Sequence, residues 1–165
     1  MLLFLRSLFW TIVFPGVVTI YIPSLILKPA DVPATWSFPQ WIAIVPGLIG
    51  VSVLAYSIVS FAVTGRGTLS PVDAPQRLVV KGMYRYVRNP MYCGVMVTLL
   101  AETLFFVSES MLVYSVLWFL FAHTFVLFCE EPALRRKFGN SYEIYCRSVH
   151  RWLPGKPFQD AGDAG

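Results

Sequence analysis

Gly82-Met83-Tyr84-Arg85-Tyr86-Val87-Arg88-Asn89-Pro90-Met91-Tyr92-Cys93-Gly94 sets two arginines and three tyrosines against a proline that opens an apolar run, a polar knot between greasy spans. Asn89-Pro90 predicts a helix start, since Asn can cap orphan N–H groups and Pro at the first helical position forfeits no hydrogen bond. Arg85 and Arg88 then sit where a helix begins. Helix N-termini attract anions and guanidinium groups clamp carboxylates or phosphates in a planar fork, so the place suits an anionic ligand group at a membrane surface. The same residues also fit a positive anchor flanked by interfacial tyrosines.

Upstream of the knot, residues 2–27 carry only Arg6, enough apolar chain to cross a hydrocarbon core of about 30 Å at about 1.5 Å per residue. Without a small-residue cleavage site at a plausible distance, this reads as a retained span. Pro15 and Pro23 should bend it. Residues 28–40 form a short loop with Trp36 and Trp41 suited to an interfacial belt, and residues 41–63 form a second, uncharged span. Gly65, Gly67, Pro71, Asp73 and Pro75 then break the pattern into a surface loop leading to the knot.

Downstream, residues 91–107 and 111–129 form a third and fourth span, separated by residues 108–110, which leave room only for a tight turn. Basic residues gather before this hairpin (Arg66, Arg77, Lys81, Arg85, Arg88) and after it (Arg135, Arg136, Lys137, Arg147, Arg151, Lys156), so both groups share one side. Positive charge makes that side cytoplasmic, and counting spans places both termini there. Glu130-Glu131-Pro132 reads as a new helix start running to Phe138, with Gly139 as its stop. Asn140 with Glu143 fits a capping box for a further helix bearing Tyr142, Tyr145 and Val149 on one stripe.

The reading is thus an all-α, multi-pass membrane protein of about four transmembrane helices with short cytosolic C-terminal helices. Residues 1–63 hold two N-terminal spans, 64–154 the loop, hairpin and amphipathic helices, and 155–165 a disordered tail. With 56% hydrophobic and 13% charged residues the chain is too apolar for a soluble domain of its 165 residues. A net charge of +4, unevenly placed, speaks against a nucleic-acid partner and for a lipidic or small one. Cys93, Cys129 and Cys146 are odd in number and lack zinc or redox spacing. No metal cluster, phosphate-binding glycine loop or dinucleotide fingerprint stands in the sequence.

Glu130 and Glu131 end a span on the side of the knot. Two carboxylates beside two guanidiniums suit a zwitterionic ligand, or serve as helix caps that pair with Arg88 or Arg135. His123 lies seven residues before Glu130, so both can share a helix face. It is the candidate catalytic residue, or else a buried, hydrogen-bonded imidazole. Glu102, mid-span and far from the basic face, reads as structural.

Taken in order, residues 78–92, the apolar hairpin, Glu130-Glu131-x-x-Leu134, Phe138-Gly139-x-x-Tyr142-x-x-Tyr145 and Arg151-Trp152-Leu153-Pro154 resemble the isoprenylcysteine carboxyl methyltransferase and phospholipid methyltransferase family. The resemblance implies S-adenosylmethionine bound between hairpin and cytosolic segments, with a lipid or prenylated acceptor entering from the bilayer. It implies a cofactor site lined by Gln76, Arg77, Leu78, Val79, Tyr84, Asn89, Pro90, Met91, Tyr92 and Glu130, with Arg88 and Glu131 beside it. Two departures bear on this. Asn89 stands where the family often has His, and can still hydrogen-bond. Val126 stands where the prenylcysteine enzymes carry an Arg that holds the substrate carboxylate, with His123 one turn away as a substitute. An amine acceptor would need a base, and His123 is the nearby candidate. The other classes open to such a chain are an NADPH-dependent sterol or steroid reductase, similar in its C-terminal membrane segments, and a non-catalytic membrane scaffold.

Overall fold

The computed structural model describes residues 13–64, 78 and 80–158. The first part of the N-terminal run with Arg6, the loop holding Arg66, Gln76, Arg77 and Val79, and residues 159–165 lie outside the described residues. Among the described residues the protein is all-helical, without a strand; one isolated parallel bridge joins Val87 to His150.

Helix α1 (Val13–Ile26) contains a π-helical turn at Val17–Tyr21. In that wider register a donor at position 23 would serve the Val18 carbonyl, and Pro23 has none. The Tyr114 hydroxyl supplies it instead, donating to Val18 O at 2.9 Å. A neighbouring helix thus completes what proline leaves open. Helix α2 (Phe38–Thr64) follows, then a 3-10 turn at Gly82–Arg85 and α3 (Pro90–Phe106). Val107, left-handed at φ 49°, ends α3, and α4 (Glu109–Phe125) returns antiparallel, so the tight turn and the hairpin are as expected.

Helices α2 and α3 pack backbone to backbone. A Cβ on Gly50 would lie 2.6 Å from Thr98 Oγ1, and one on Gly94 would lie 2.8 Å from Leu54 N, so glycine is what allows the approach. At the far end, Gln40 Nε2 donates to the Phe105 carbonyl at 2.7 Å and closes one of α3's terminal carbonyls. Val18, Leu54, Val95, Leu99, Met111, Trp118 and Ala122 form the core between α1, α2, α3 and α4.

Three local expectations are corrected. No new helix begins at Glu130-Glu131-Pro132: a π-helical turn at Val126–Glu130 carries α4 straight into α5 (Glu131–Phe138). Pro132 cannot donate, and the helix widens around it instead of stopping. Gly139 does end α5, at φ 54°, but Gly139 and not Asn140 stands at the N-cap of α6 (Asn140–Ser148), so no capping box forms there, and Glu143 pairs with Arg135 at 3.3 Å. Asn89 likewise makes no side-chain cap and donates to the Arg151 carbonyl at 3.3 Å. The stripe of Tyr142, Tyr145 and Val149 is buried as expected, and forms a second core with Leu78, Val80, Leu134, Phe138 and Phe158.

Among the described residues two helices are long and apolar enough to cross a membrane, Phe38–Ser60 and Glu109–Phe138; the apolar helices Val13–Ile26 and Pro90–Phe106 are shorter. Leu48, Val59, Leu117 and Phe121 stand exposed on the two long ones, an outer surface that calls for an apolar surrounding.

Candidate active site

The knot is held by the C-terminal segment. Val87 bridges to His150, and Arg88 N donates to His150 O at 2.9 Å. Beyond that, Gly155 N donates to Tyr86 O and Phe158 N to Arg85 O, while Arg85 Nε donates back to Phe158 O at 2.9 Å. Residues 155–158, expected in a disordered tail, are therefore docked, with the Phe158 ring edge-on to Tyr145. Tyr145 also donates its hydroxyl to Tyr84 O at 2.6 Å. Gly82, at φ 58°, lies flush against the Tyr56 ring of α2, where no side chain would fit.

The two adjacent glutamates meet opposite fates. Glu131, only 4% exposed, takes Arg151 in a bidentate fork at 2.6 and 2.9 Å, Arg88 at 3.0 Å and Arg135 at 3.6 Å. The hydrogen bonds to Glu131 hold the Arg151 guanidinium above its already high ordinary range. Arg88 also donates to Cys146 Sγ at 2.8 Å, while its Nε is buried without a partner. Arg88 thus turns inward to an ion-pair cluster, one of the two alternatives the sequence left open for Glu131.

Among the described residues Glu130 has no cationic partner. Its carboxylate is half-buried and accepts from the Tyr92 hydroxyl at 3.1 Å. Tyr84 lies close enough that burial first, and the Glu130 charge second, push its phenol above the ordinary range, so it stays a donor. Tyr84, Tyr92 and Glu130 come together as expected. Asn89, Pro90 and Met91 form the opening of α3 beside them, Pro90 buried and Met91 against the core. Leu78 packs on the α6 core, and Gln76, Arg77 and Val79 lie outside the described residues.

His123 joins Glu130 only through intermediaries, Trp152 packing on the Tyr92 that bonds Glu130. Its Nδ1 accepts a hydrogen bond from Trp152 Nε1 at 3.0 Å, with Phe119 and Tyr92 packed on the same indole at centroid distances of 5.4 and 6.3 Å. Cys93 Sγ donates to Trp152 O at 3.4 Å. Sequence reasoning missed Trp152 and the clamp of Arg151 on Glu131. The signal was present in Arg151-Trp152-Leu153-Pro154, where a guanidinium and an indole donor sit next to a chain-stiffening proline.

The family model for phospholipid methyltransferases matches residues 41–141, well over half of the chain. The chain belongs to that family. No curated protein and no solved structure matches it. The phospholipid methyltransferase match takes in the knot, the hairpin and both glutamates, and it stops before the segment that carries Arg151 and Trp152. Membership in this family makes the chain a methyltransferase by type, and with its exposed apolar helices associates it with membranes.

Proposed function

We propose that this phospholipid methyltransferase transfers a methyl group from S-adenosylmethionine to a lipid acceptor, at a site built on Glu130, Tyr92 and Tyr84. The observation that carries this is the partition of the glutamates. Glu131 is paired with three arginines, whereas Glu130, one residue earlier, is half-buried with a phenol and, among the described residues, no cationic partner. A desolvated carboxylate without a counter-charge is costly, and a ligand bearing ammonium and hydroxyl groups would relieve it. When bound, S-adenosylmethionine supplies an electrophilic methyl carried on a sulfonium. Glu130 would accept from its ammonium or ribose hydroxyls, with Tyr84, Asn89, Pro90, Met91, Tyr92 and the segment from Gln76 through Val79 lining the rest. The docked C-terminal segment would keep water from this face. Positioning and desolvation would then do most of the catalysis.

The acceptor is lipidic, reached from the bilayer along a four-span bundle with both termini cytoplasmic. Arg88, Arg135 and Arg151 are occupied by Glu131, and Val126 is sealed in the core. With buried Val126 where the prenylcysteine enzymes carry the arginine that grips a carboxylate, a phospholipid is favoured. Thermal unfolding of the purified protein tests the cofactor. S-adenosylmethionine should raise the melting temperature of the wild type and not of Glu130→Gln, and NADPH should raise neither. Stabilisation by NADPH alone would replace the methyltransferase by a reductase.

A further inference from the structure

Tryptophan's indole N–H only donates, so the His123 nitrogen facing it at 3.0 Å must carry a lone pair. The ring proton of the neutral imidazole then sits on Nε2. That nitrogen has no partner among the described residues, and it is not sealed in either, since the buried polar atoms left without partners are Arg88 Nε, Glu102 Oε2 and Trp118 Nε1. The ring is fixed from two sides, by the Trp152 bond and by Phe119 packed beside it at 6.0 Å. His123 lies about 10 Å along the helix from Glu130, at about 1.5 Å per residue.

We propose that Trp152 holds His123 so that its Nε2–H is left open as a hydrogen-bond donor for an oxygen of the acceptor lipid, its phosphodiester group. His123 is then a substrate-binding residue and Trp152 a positioning residue. The protonated Nε2 has no lone pair with which to take a proton from an amine, so the arrangement opposes the role of general base. A neutral donor also suits its surroundings, where the nearby guanidiniums are already committed to Glu131. This inference rests on the lipid methyltransferase reading for its ligand, and on the Trp152 bond alone for the tautomer.

The test begins with 15N-histidine NMR of the whole protein in maltoside micelles, the His123 signals being assigned by their loss in His123→Gln. The expected spectrum has a bare Nδ1 and a protonated Nε2, changing on Trp152→Phe, which keeps an aromatic ring and removes the donor. Adding phosphatidylethanolamine should move the Nε2 signal, while diacylglycerol, with the same ester carbonyls and no phosphate, should not. A proton on Nδ1 in the wild type overturns the proposal, as does an equal response to diacylglycerol. With methyl transfer to phosphatidylethanolamine as readout, His123→Leu should raise the lipid KM about tenfold, the loss of roughly one hydrogen bond, with kcat little changed. His123→Gln, whose amide can accept from Trp152 and still donate outward, should recover most of that loss. Abolished kcat in His123→Gln with cofactor affinity intact would make His123 the base and overturn the proposal. If the wild type binds no S-adenosylmethionine, the methyltransferase reading fails, and the tautomer and lipid-shift measurements still decide the role of His123.

Discussion

Glu130 and Glu131 are one residue apart and chemically identical, and their surroundings separate them. For Glu131→Gln, Arg88 and Arg151 lose their counter-charge, Arg135 keeping Glu143, in a site where the carboxylate is 4% exposed. Removing one partner of a buried ion cluster typically costs about 3 to 5 kcal/mol, so this variant should unfold at markedly lower temperature in detergent or nanodiscs, with or without ligand. Glu130→Gln should leave that unliganded stability nearly unchanged and weaken S-adenosylmethionine binding by about 1 to 3 kcal/mol, measured by calorimetry. The opposite pattern would exchange their roles. The sequence could propose both uses for this pair but could not assign them, because the assignment depends on Arg151, twenty residues away, folding back onto one carboxylate and missing the other. The same holds for His123, whose partner Trp152 is brought to it only by the docking of the C-terminal segment on the knot.

Apolar run lengths place α2, α3 and α4 in the sequence, and the tight turn at residues 108–110 follows from chain length alone. The helix junctions do not follow so directly. Pro132 and Pro23 each read as a break or bend, yet both are absorbed by π-helical turns, one aided by a hydroxyl from another helix. The caps fail one by one: Gly139 takes the N-cap place expected of Asn140, and Asn89 donates to the Arg151 carbonyl instead of capping its own helix. The close crossing of α2 on α3 gives a direct test at this scale. Gly94→Val would push a side chain into the backbone at Leu54, where a Cβ already lies 2.8 Å from Leu54 N. Overpacking of this kind costs about 1 to 3 kcal/mol or more, so thermal unfolding should show the variant less stable than Gly47→Ala, whose added Cβ would meet only Ala101 at 3.6 Å. Equal stabilities would mean the two helices are not in contact there.

For the molecule as a whole, the proposed site depends on the hairpin returning Glu130 to Tyr92 and on the C-terminal segment docking on the knot with Trp152 against Tyr92. Composition and charge placement made a membrane protein with one basic face legible, and residue order made the family resemblance legible. The covering of the site by residues 150–158 was not, since a short segment rich in Gly, Pro and Lys carries no periodicity to mark it. The proposed topology puts Arg77 and Lys156 on the same membrane side. In a background free of the native cysteines, Arg77→Cys and Lys156→Cys should therefore label from the same side of sealed vesicles; labelling from opposite sides would dismantle the hairpin topology. The central claim, transfer of a methyl group to lipid through Glu130, is tested most directly by incubating the protein with methyl-labelled S-adenosylmethionine and a native lipid extract. The account predicts label in the lipid fraction with the wild type and a strong loss with folded Glu130→Gln; an unlabelled lipid fraction with folded wild-type protein, or equal labelling by the variant, would contradict it.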